Sequence, residues 1–167
     1  MASFPKLVPA FTARVPIDAA MPVGSSKGGL NVVPILAGGS FVSEPGYPIK
    51  VDAEFVHGAD LIRPDVDGKR LRLDVNVILK QKGTEDGLFN YIYSGFIETN
   101  SEIVKVLTGA ADAATTSQGN VFTHVTFETG HAALKELENR IFVAAGRFVL
   151  EPGQPVIVEY KISEVTV

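Results

Sequence analysis

The nine residues LRLDVNVIL (71–79) decide the fold of this 167-residue chain. Leucine or valine stands at every odd-numbered position, and the even-numbered positions include Arg72, Asp74 and Asn76. Side chains of an extended strand point alternately to its two faces. The stretch therefore predicts a β-strand with one apolar face and one largely polar face.

Sequences typical of turns bound this stretch and recur along the chain. PDVDG (64–68), KGTEDG (82–87) and LEPGQP (150–155) combine proline, glycine and acidic residues, which favour tight turns. The segments between turns have the alternation and the composition of strands. Strands are predicted over residues 30–36, 51–59, 71–79, 88–96, 99–107, 121–128, 141–149 and 155–165.

Two segments depart from the strand pattern. In HAALKELENR (131–140), Ala133, Leu134 and Leu137 share one face opposite a charged one, which predicts a short helix near the C-terminus. The segment GAADAATTSQG (109–119) is small and polar throughout, which predicts a mobile surface loop or lid. No other segment has convincing helical spacing.

Many evenly spaced strands in one domain predict a sandwich or a barrel. A barrel has no free sheet edges to protect, and with about eight strands it is wide enough to hold one small ligand. We therefore expect an all-β fold: a single antiparallel β-barrel domain over residues 1–167, with the short helix plugging or covering one end.

The composition is that of an ordinary globular protein, with 46% hydrophobic and 20% charged residues. No apolar run approaches the roughly 20 residues that span a bilayer, and the first residues lack the apolar core of a signal peptide. Without cysteine, the chain offers no thiolate chemistry and needs no oxidising compartment. These features predict a cytoplasmic protein with no membrane partner.

The charge pattern argues against nucleic-acid binding. The formal net charge is −4, and Lys69, Arg70 and Arg72 form the one tight basic group. Nucleic acids usually require a coherent positive face. No nucleic-acid partner is therefore predicted.

No pattern for a metal or a cofactor is present in the sequence. The three histidines, His57, His124 and His131, fall in no recognised ligand spacing. GSSKGG (24–29) matches neither a P-loop nor a dinucleotide-binding motif, and its alternative interpretation is a flexible turn. No nucleophile elbow of the GxSxG type occurs. Neither a metal nor a cofactor is expected.

Several short phrases, taken in order, resemble one known family. Their order and spacing carry the likeness, since each phrase alone would mean little. The phrases are VPILAGGSF (33–41), GAD (58–60), LDV (73–75), the DG and apolar-tyrosine strand (86–93) and FETG (127–130). Together they resemble the bacterial and fungal domain-of-unknown-function family 3237, and the resemblance runs from about Pro9 to Val165.

The resemblance implies a small antiparallel β-barrel, calycin-like or allene-oxide-cyclase-like, with a polar-lined cavity and a tendency to self-associate as a dimer or higher homo-oligomer. Some fungal relatives are thought to be cofactor-independent cyclases of natural-product pathways. One such reaction adds a phenolic hydroxyl across a prenyl alkene and gives a cyclic ether. The implied partner is an aromatic, polyketide-like small molecule of secondary metabolism.

Three departures from the family pattern indicate a pocket reshaped for a particular ligand. Leu61 follows GAD where an aromatic residue is usual, and Asn76 stands where a basic residue is common. A Trp-Leu-Asn run is reduced to Leu-Glu-Asn, which keeps Asn139. Asn76 and Asn139 are therefore candidate substrate-binding residues.

The candidate catalytic residues are Asp60, Glu128 and His124, and Asp74 is a candidate substrate-binding residue. Asp60 follows glycine and alanine, which leave room for a neighbour, and its alternative role is to accept turn or strand hydrogen bonds. Asp74 is unfavourable inside a strand, so it either contacts a ligand or projects into solvent. His124 and Glu128 share one face of THVTFETG (123–130), roughly 13 Å apart. We expect that face to point inward, the alternatives being an exposed histidine and a Glu128 that binds main-chain amides.

Two tyrosines and one arginine are candidate substrate-binding residues. Tyr91 and Tyr93 share a strand face and either stack on an aromatic ligand or pack in the barrel wall. Arg63 either holds a phenolate or enolate or pairs with Asp65 or Asp67.

Three functional hypotheses follow. The first is a cofactor-free cyclase or isomerase in which Asp60 or Glu128 protonates an alkene and His124 or another carboxylate takes the phenolic proton. The second is a barrel that binds or carries a hydrophobic ligand unchanged. The third is a structural oligomerisation domain with a filled interior.

Overall fold

The computed structural model describes residues 2–167. Its strands are β1 (Lys6–Ile17), β2 (Met21–Pro22), β3 (Asn31–Ile35), β4 (Gly38–Ser43), β5 (Asp52–Pro64), β6 (Arg70–Gln81), β7 (Leu88–Glu98), β8 (Val121–Glu128), β9 (Phe142–Val149) and β10 (Val156–Thr166). An α-helix, α1 (Ser101–Thr108), joins β7 to β8, and a 3-10 helix (Lys135–Asn139) joins β8 to β9.

The strands close into an antiparallel barrel. From β5 to β10 each strand pairs with the next one along the chain, and β10 pairs with β1 from Lys6↔Thr166 to Ile17↔Val156. The short strands β3 and β4 lie one after the other between β1 and β5 and together fill a single position. The predicted barrel is confirmed, with eight strand positions around its wall.

Strand β6 shows why the barrel forms. Its odd-numbered side chains from Leu73 to Leu79 are buried, and Arg72, Asp74 and Asn76 are exposed, as the alternation predicts. Its neighbours place their own apolar faces toward the same interior. Burial of these faces, at about 25 cal/mol per Å² of apolar surface, is the dominant force that closes the sheet.

Aromatic rings pack together in part of the barrel interior. Phe127 on β8 lies at the centre of this cluster, with its ring centroid 5.4–6.3 Å from those of its neighbours. Most of these pairs are edge-on or tilted, the geometry that aromatic quadrupoles prefer. The surrounding rings are Phe11, Phe41, Phe89, Tyr91 and Phe142.

The sequence did not reveal β1 and β4. Prolines at positions 9 and 16 obscure the alternation in β1, and the pairing register shifts between Pro9 and Phe11. In β4, Gly39 adopts φ +62°, and a side chain there would place its Cβ 2.3 Å from the Arg14 carbonyl oxygen. Proline in a strand and glycine at a close approach are tolerated only in a particular tertiary setting.

The predicted strand over 99–107 is wrong, because this segment forms α1. Asn100 caps the helix by accepting a hydrogen bond from the Ile103 N–H (3.0 Å), and Gly109 ends it in the left-handed conformation. Ile103 and Val106, three residues apart, are the buried side chains of the helix. Alternating apolar residues suggested a strand, but the two caps and the spacing of three favour a helix.

The short helix predicted within 131–140 is confirmed as the 3-10 helix, which Leu134 and Leu137 anchor to the core. The segment predicted as a surface loop, 109–119, contains no helix or strand and is mostly exposed, and hydrogen bonds hold its second half in place. The Thr116 N–H donates to the Phe148 carbonyl (2.9 Å), and the Ser117 N–H donates to Glu102 on α1 (2.7 Å). These bonds tie the segment to β9 and to α1.

No helix within residues 2–167 is both long enough and apolar enough to span a bilayer.

Candidate functional site

A bulge in β5 turns Asp60 into the barrel. At the start of β5 the odd-numbered side chains Ala53 and Phe55 are buried, and the pairing with β6 then shifts register between Phe55 and His57. After the shift the even-numbered residues Asp60 and Ile62 face inward. One extra residue in a strand exchanges its two faces, which is how bulges commonly re-aim side chains.

Asp60 is a buried carboxyl, with 9% of its surface exposed. Its Oδ1 accepts a hydrogen bond from the Asp74 main-chain N–H on β6 (3.1 Å). Burial disfavours the charged form and raises the pKa of Asp60 from 3.8 to about 7, although the Asp74 N–H opposes the rise. Near neutral pH the side chain is therefore present in both its acid and its base form.

Two tyrosines share the interior with Asp60. Tyr93 on β7 and Tyr160 on β10 are edge-to-face, with ring centroids 5.2 Å apart. The Tyr160 ring packs against Gly146, where a Cβ atom would stand 2.8 Å from the ring. Burial raises the pKa of both hydroxyls, and the Asp60 charge raises them further, so both remain protonated donors.

Asp60, Tyr93 and Tyr160 line one small internal cavity of about 40 Å³, termed the Asp60 chamber. Its remaining wall is aliphatic or aromatic and includes Leu73 and Ile97. A water molecule occupies about 30 Å³ in the liquid, so the chamber in this conformation admits little more than a water-sized group.

A larger outer groove of about 510 Å³ lies beside the chamber, between the end of α1 and the loops that follow β1 and β9. Its volume is in the range of small-molecule sites. Four side chains line both spaces and form the partition between them: Ile17, Val33, Leu107 and Phe148.

The inward orientation predicted for His124 and Glu128 is wrong. On β8 the buried residues are Val121, Thr123, Val125 and Phe127, and both candidates lie on the exposed face. His124 Nδ1 lies 3.4 Å from the Ser94 hydroxyl, and Glu128 accepts from the Asn90 side chain (3.2 Å). Burying Phe127 and Val125 is far more favourable than burying a histidine and a carboxylate, so the apolar face of β8 is the one that faces the interior.

The other polar candidates also lie outside the chamber. Asn76 and Asn139 are exposed, which contradicts a role for either in binding a ligand inside the barrel. Arg63 is exposed, and its Nη1 lies 3.5 Å from the Leu61 carbonyl oxygen on the same strand. Its suggested partner Asp65 is instead held by Arg72 (2.6 and 2.8 Å). These three side chains point outward because each stands at an outward strand position or in a connection.

Of the two tyrosines predicted to bind substrate, the structure brings only Tyr93 to the chamber. Tyr91 is fully buried among aromatic rings, so it packs in the barrel core, the alternative interpretation of its strand. Tyr160 was not among the predicted residues. Its signal was present in VIVEYKI (156–162), where Val158, Tyr160 and Ile162 alternate on one face.

Asp74 has an exposed side chain but a direct link to Asp60 through its main chain. Asp74→Asn is expected to lower the pKa of Asp60, because the nearby charge is removed and the N–H donor is kept. The pKa is measured by following the Asp60 carboxyl carbon by NMR as pH is varied. Asp86→Asn, which removes the same charge from an exposed turn, should leave that pKa unchanged. A higher pKa in Asp74→Asn would contradict the expectation.

Within residues 2–167, no three histidine, aspartate or glutamate side chains converge in a way that could hold a metal ion. Among the titratable groups of this region, Asp60 is the carboxyl that lines the chamber. The arrangement therefore offers one proton-exchanging acid, two hydroxyl donors and an apolar wall.

A family model described as a protein of unknown function, DUF3237, matches residues 5–165. A conserved protein of unknown function from Rhodopseudomonas palustris is similar in structure, with 18% identity and a TM-score of 0.71 over 99% of this chain and 100% of that chain. A β-barrel-like protein from Acinetobacter baumannii shares 19% identity and a TM-score of 0.68 over 99% of both chains. A protein of unknown function from Clostridium acetobutylicum shares 18% identity and a TM-score of 0.70 over 98% of this chain and 100% of that chain.

At such identities the likeness concerns the fold alone. No curated protein matches the sequence.

Proposed function

This chain belongs to domain-of-unknown-function family 3237, and we propose that it is a cofactor-independent cyclase or isomerase of an aromatic, polyketide-like small molecule. The reaction is an acid–base catalysed closure of a cyclic ether, the addition of a phenolic hydroxyl across a prenyl alkene. One observation carries the proposal: Asp60 is a carboxyl with a pKa of about 7 in an otherwise apolar chamber that two tyrosine side chains help to line.

The first chemical step is a proton transfer from the Asp60 carboxyl to the less substituted alkene carbon. A C–H bond forms, the π bond breaks, and a tertiary cation and the Asp60 carboxylate result. The carboxylate stabilises the cation across the chamber, where few dipoles screen the interaction. The apolar wall keeps water away from the cation.

The second step closes the ring. The phenolic oxygen attacks the tertiary carbon, and its proton passes to the Asp60 carboxylate, which restores the starting acid. Tyr93 and Tyr160 position the phenolic oxygen through their hydroxyl groups. Holding oxygen and cation together can remove roughly 7–11 kcal/mol of barrier at best, and a positioned acid contributes about a hundred- to ten-thousand-fold in rate.

Asp60 therefore serves as both acid and base. His124 and Glu128 lie on the outer face of β8 and cannot share these roles from there. A pKa near the working pH is the value at which one carboxyl donates and accepts with similar ease. The bulk of the substrate lies in the outer groove, and the chamber widens to admit the reacting end, since in this conformation it has room for little more than a water-sized group.

A panel of prenylated phenols in deuterated water tests the proposal, with 2-(3-methylbut-2-enyl)phenol as the smallest member. We expect a cyclic ether that is an isomer of the substrate and carries one deuterium on carbon. Asp60→Asn should abolish its formation, and His124→Ala and Glu128→Gln should retain it. Equal product from Asp60→Asn and the unaltered protein would exclude the acid role of Asp60.

The second candidate function is a carrier of a hydrophobic ligand. The predominantly apolar lining of the chamber and of the groove favours it. Members of the panel that bind in the chamber and are recovered unchanged would support the carrier over the catalyst. In either function we propose, from the family resemblance, that the protein is a homo-oligomer.

A further inference from the structure

Leu107 occupies an unusual position in the partition between the outer groove and the Asp60 chamber. It lies in the last turn of α1, lines both spaces, and leaves 46% of its surface exposed. Ile17, Val33 and Phe148, the other members of the partition, belong to barrel strands. A strand side chain is fixed by neighbours on both sides, whereas the end of a helix is a place where structure opens at low free energy.

The contacts of α1 hold the helix in place without using Leu107. Ile103 and Val106 are the side chains that it buries against the barrel. On its other side, Glu102 accepts from Ser117 (2.7 Å), and Lys105 pairs with Asp112 (2.5 Å). Gly109 ends the helix two residues after Leu107. The Leu107 side chain can therefore change rotamer, or the last turn can open, while the helix stays docked.

The charged residues that line the outer groove and the chamber determine which ligands can reach Asp60. Asp18 lies at the outer groove and Asp60 at the inner end, and no lysine, arginine or histidine is among the described residues that line either space. A carboxylate or phosphate on the ligand would meet negative charge at both ends and no cation between them. Carbonyl, ether and hydroxyl oxygens can accept hydrogen bonds from the protonated Tyr93 and Tyr160.

We propose that Leu107 is the gate between the outer groove and the Asp60 chamber, and that it admits the oxygen-bearing end of an elongated, uncharged molecule. The proposal rests on the proposed function, because it treats the chamber as the place where the ligand reacts. Leu107 then sets how large a head group can reach Asp60, and the groove holds the apolar remainder.

Two probes of equal length separate the charge requirement from size: 3-(4-hydroxyphenyl)propan-1-ol, which is neutral at pH 7, and 3-(4-hydroxyphenyl)propanoate, which is anionic. The full-length protein carries ¹³C-labelled methyl groups, and the Ile62, Leu73 and Val158 signals report arrival in the chamber. Exchange spectroscopy gives the association rate constant, and calorimetry gives the affinity.

The variants are Leu107→Ala, Leu107→Phe and the matched control Val104→Ala. Val104 lies on the same helix with the same exposed fraction, 46%, and lines neither space. For the neutral probe, we expect Leu107→Ala to raise the association rate about tenfold and Leu107→Phe to lower it, with Val104→Ala unchanged. The anionic probe should bind at least about tenfold more weakly, the factor that 1.4 kcal/mol of binding free energy corresponds to.

Three results would overturn the proposal: equal effects of Leu107→Ala and Val104→Ala, equal binding of the two probes, or chamber signals that neither probe moves. Its failure is distinct from failure of the proposed function. Passage that depends on Leu107 in a protein that forms no product would support the gate and contradict the catalyst. Equal rates of product formation in the unaltered protein and in both Leu107 variants would contradict the gate but not the proposed catalyst.

Discussion

The free energy of unfolding of Asp60→Asn, relative to that of the unaltered chain, is expected to rise with pH. The increase between pH 4 and pH 8 is up to about 4 kcal/mol. The pKa of Asp60 is about 7 in the folded protein and 3.8 for the free side chain, a difference of roughly three, and each pKa unit corresponds to about 1.4 kcal/mol. Between these two pH values the folded state binds more protons than the unfolded state, so stability falls as pH rises. Asparagine has no such proton to lose.

The free energy of unfolding is measured by urea denaturation of both proteins at pH 4, 5.5, 7 and 8. The quantity of interest is the difference between the two proteins at each pH, in which the titrations of all other groups cancel. Asp86→Asn is the control, because it removes a carboxylate that is already exposed. A stability difference that does not change with pH would show that Asp60 has an ordinary pKa. Asp60 could then not be the acid of the proposed mechanism.

Phe127→Ala is expected to destabilise the protein by about 3–5 kcal/mol, the range found when a buried aromatic side chain is truncated. Phe127 is 3% exposed and lies at the centre of the aromatic cluster inside the barrel. Alanine would leave a cavity that five surrounding rings line. Since those rings belong to four different strands, the cavity cannot collapse without moving the barrel wall.

Phe122→Ala is the matched control on the same strand. Phe122 is 44% exposed on the outer face of β8, where its main aromatic neighbour is Phe96 (5.9 Å). We expect its truncation to change the free energy of unfolding by about 1 kcal/mol or less. Guanidinium denaturation at one pH measures both variants. A larger loss from Phe122→Ala than from Phe127→Ala would mean that β8 has the opposite face inward, and would restore His124 and Glu128 to the interior.

Most of the strands could be predicted from the sequence because their signal is local. The alternation in 71–79 and in 121–128 and the turn residues between strands are enough to place β6, β8 and their neighbours. β1 and β4 could not be predicted in this way. Their prolines and glycines oppose strand formation locally, and only the partners on each side, β10 and β5, make the extended conformation favourable.

The site was predictable to a smaller extent. The sequence identified Asp60 and Tyr93 as candidates, and the structure brings both to the chamber. It gave His124 and Glu128 as equally strong candidates, although the opposite face of their strand is more apolar than the face on which they lie. It did not single out Tyr160 or Leu107, since an apolar or aromatic residue in a strand or a short helix has no local feature that marks it as part of a cavity wall.

The sequence by itself determined that this protein is all-β, because a period of two in apolar residues repeats along the chain and the hydrophobic effect acts on each strand in the same way. Closure of the barrel depends on β1, which pairs with β10 and which no local pattern revealed. Only the tertiary structure decided which polar groups lie inside. The register shift in β5 that turns Asp60 inward depends on pairing with β6, and the rise of its pKa depends on the surrounding residues that exclude water. Both are properties of neighbours distant in the sequence, which no local pattern contains.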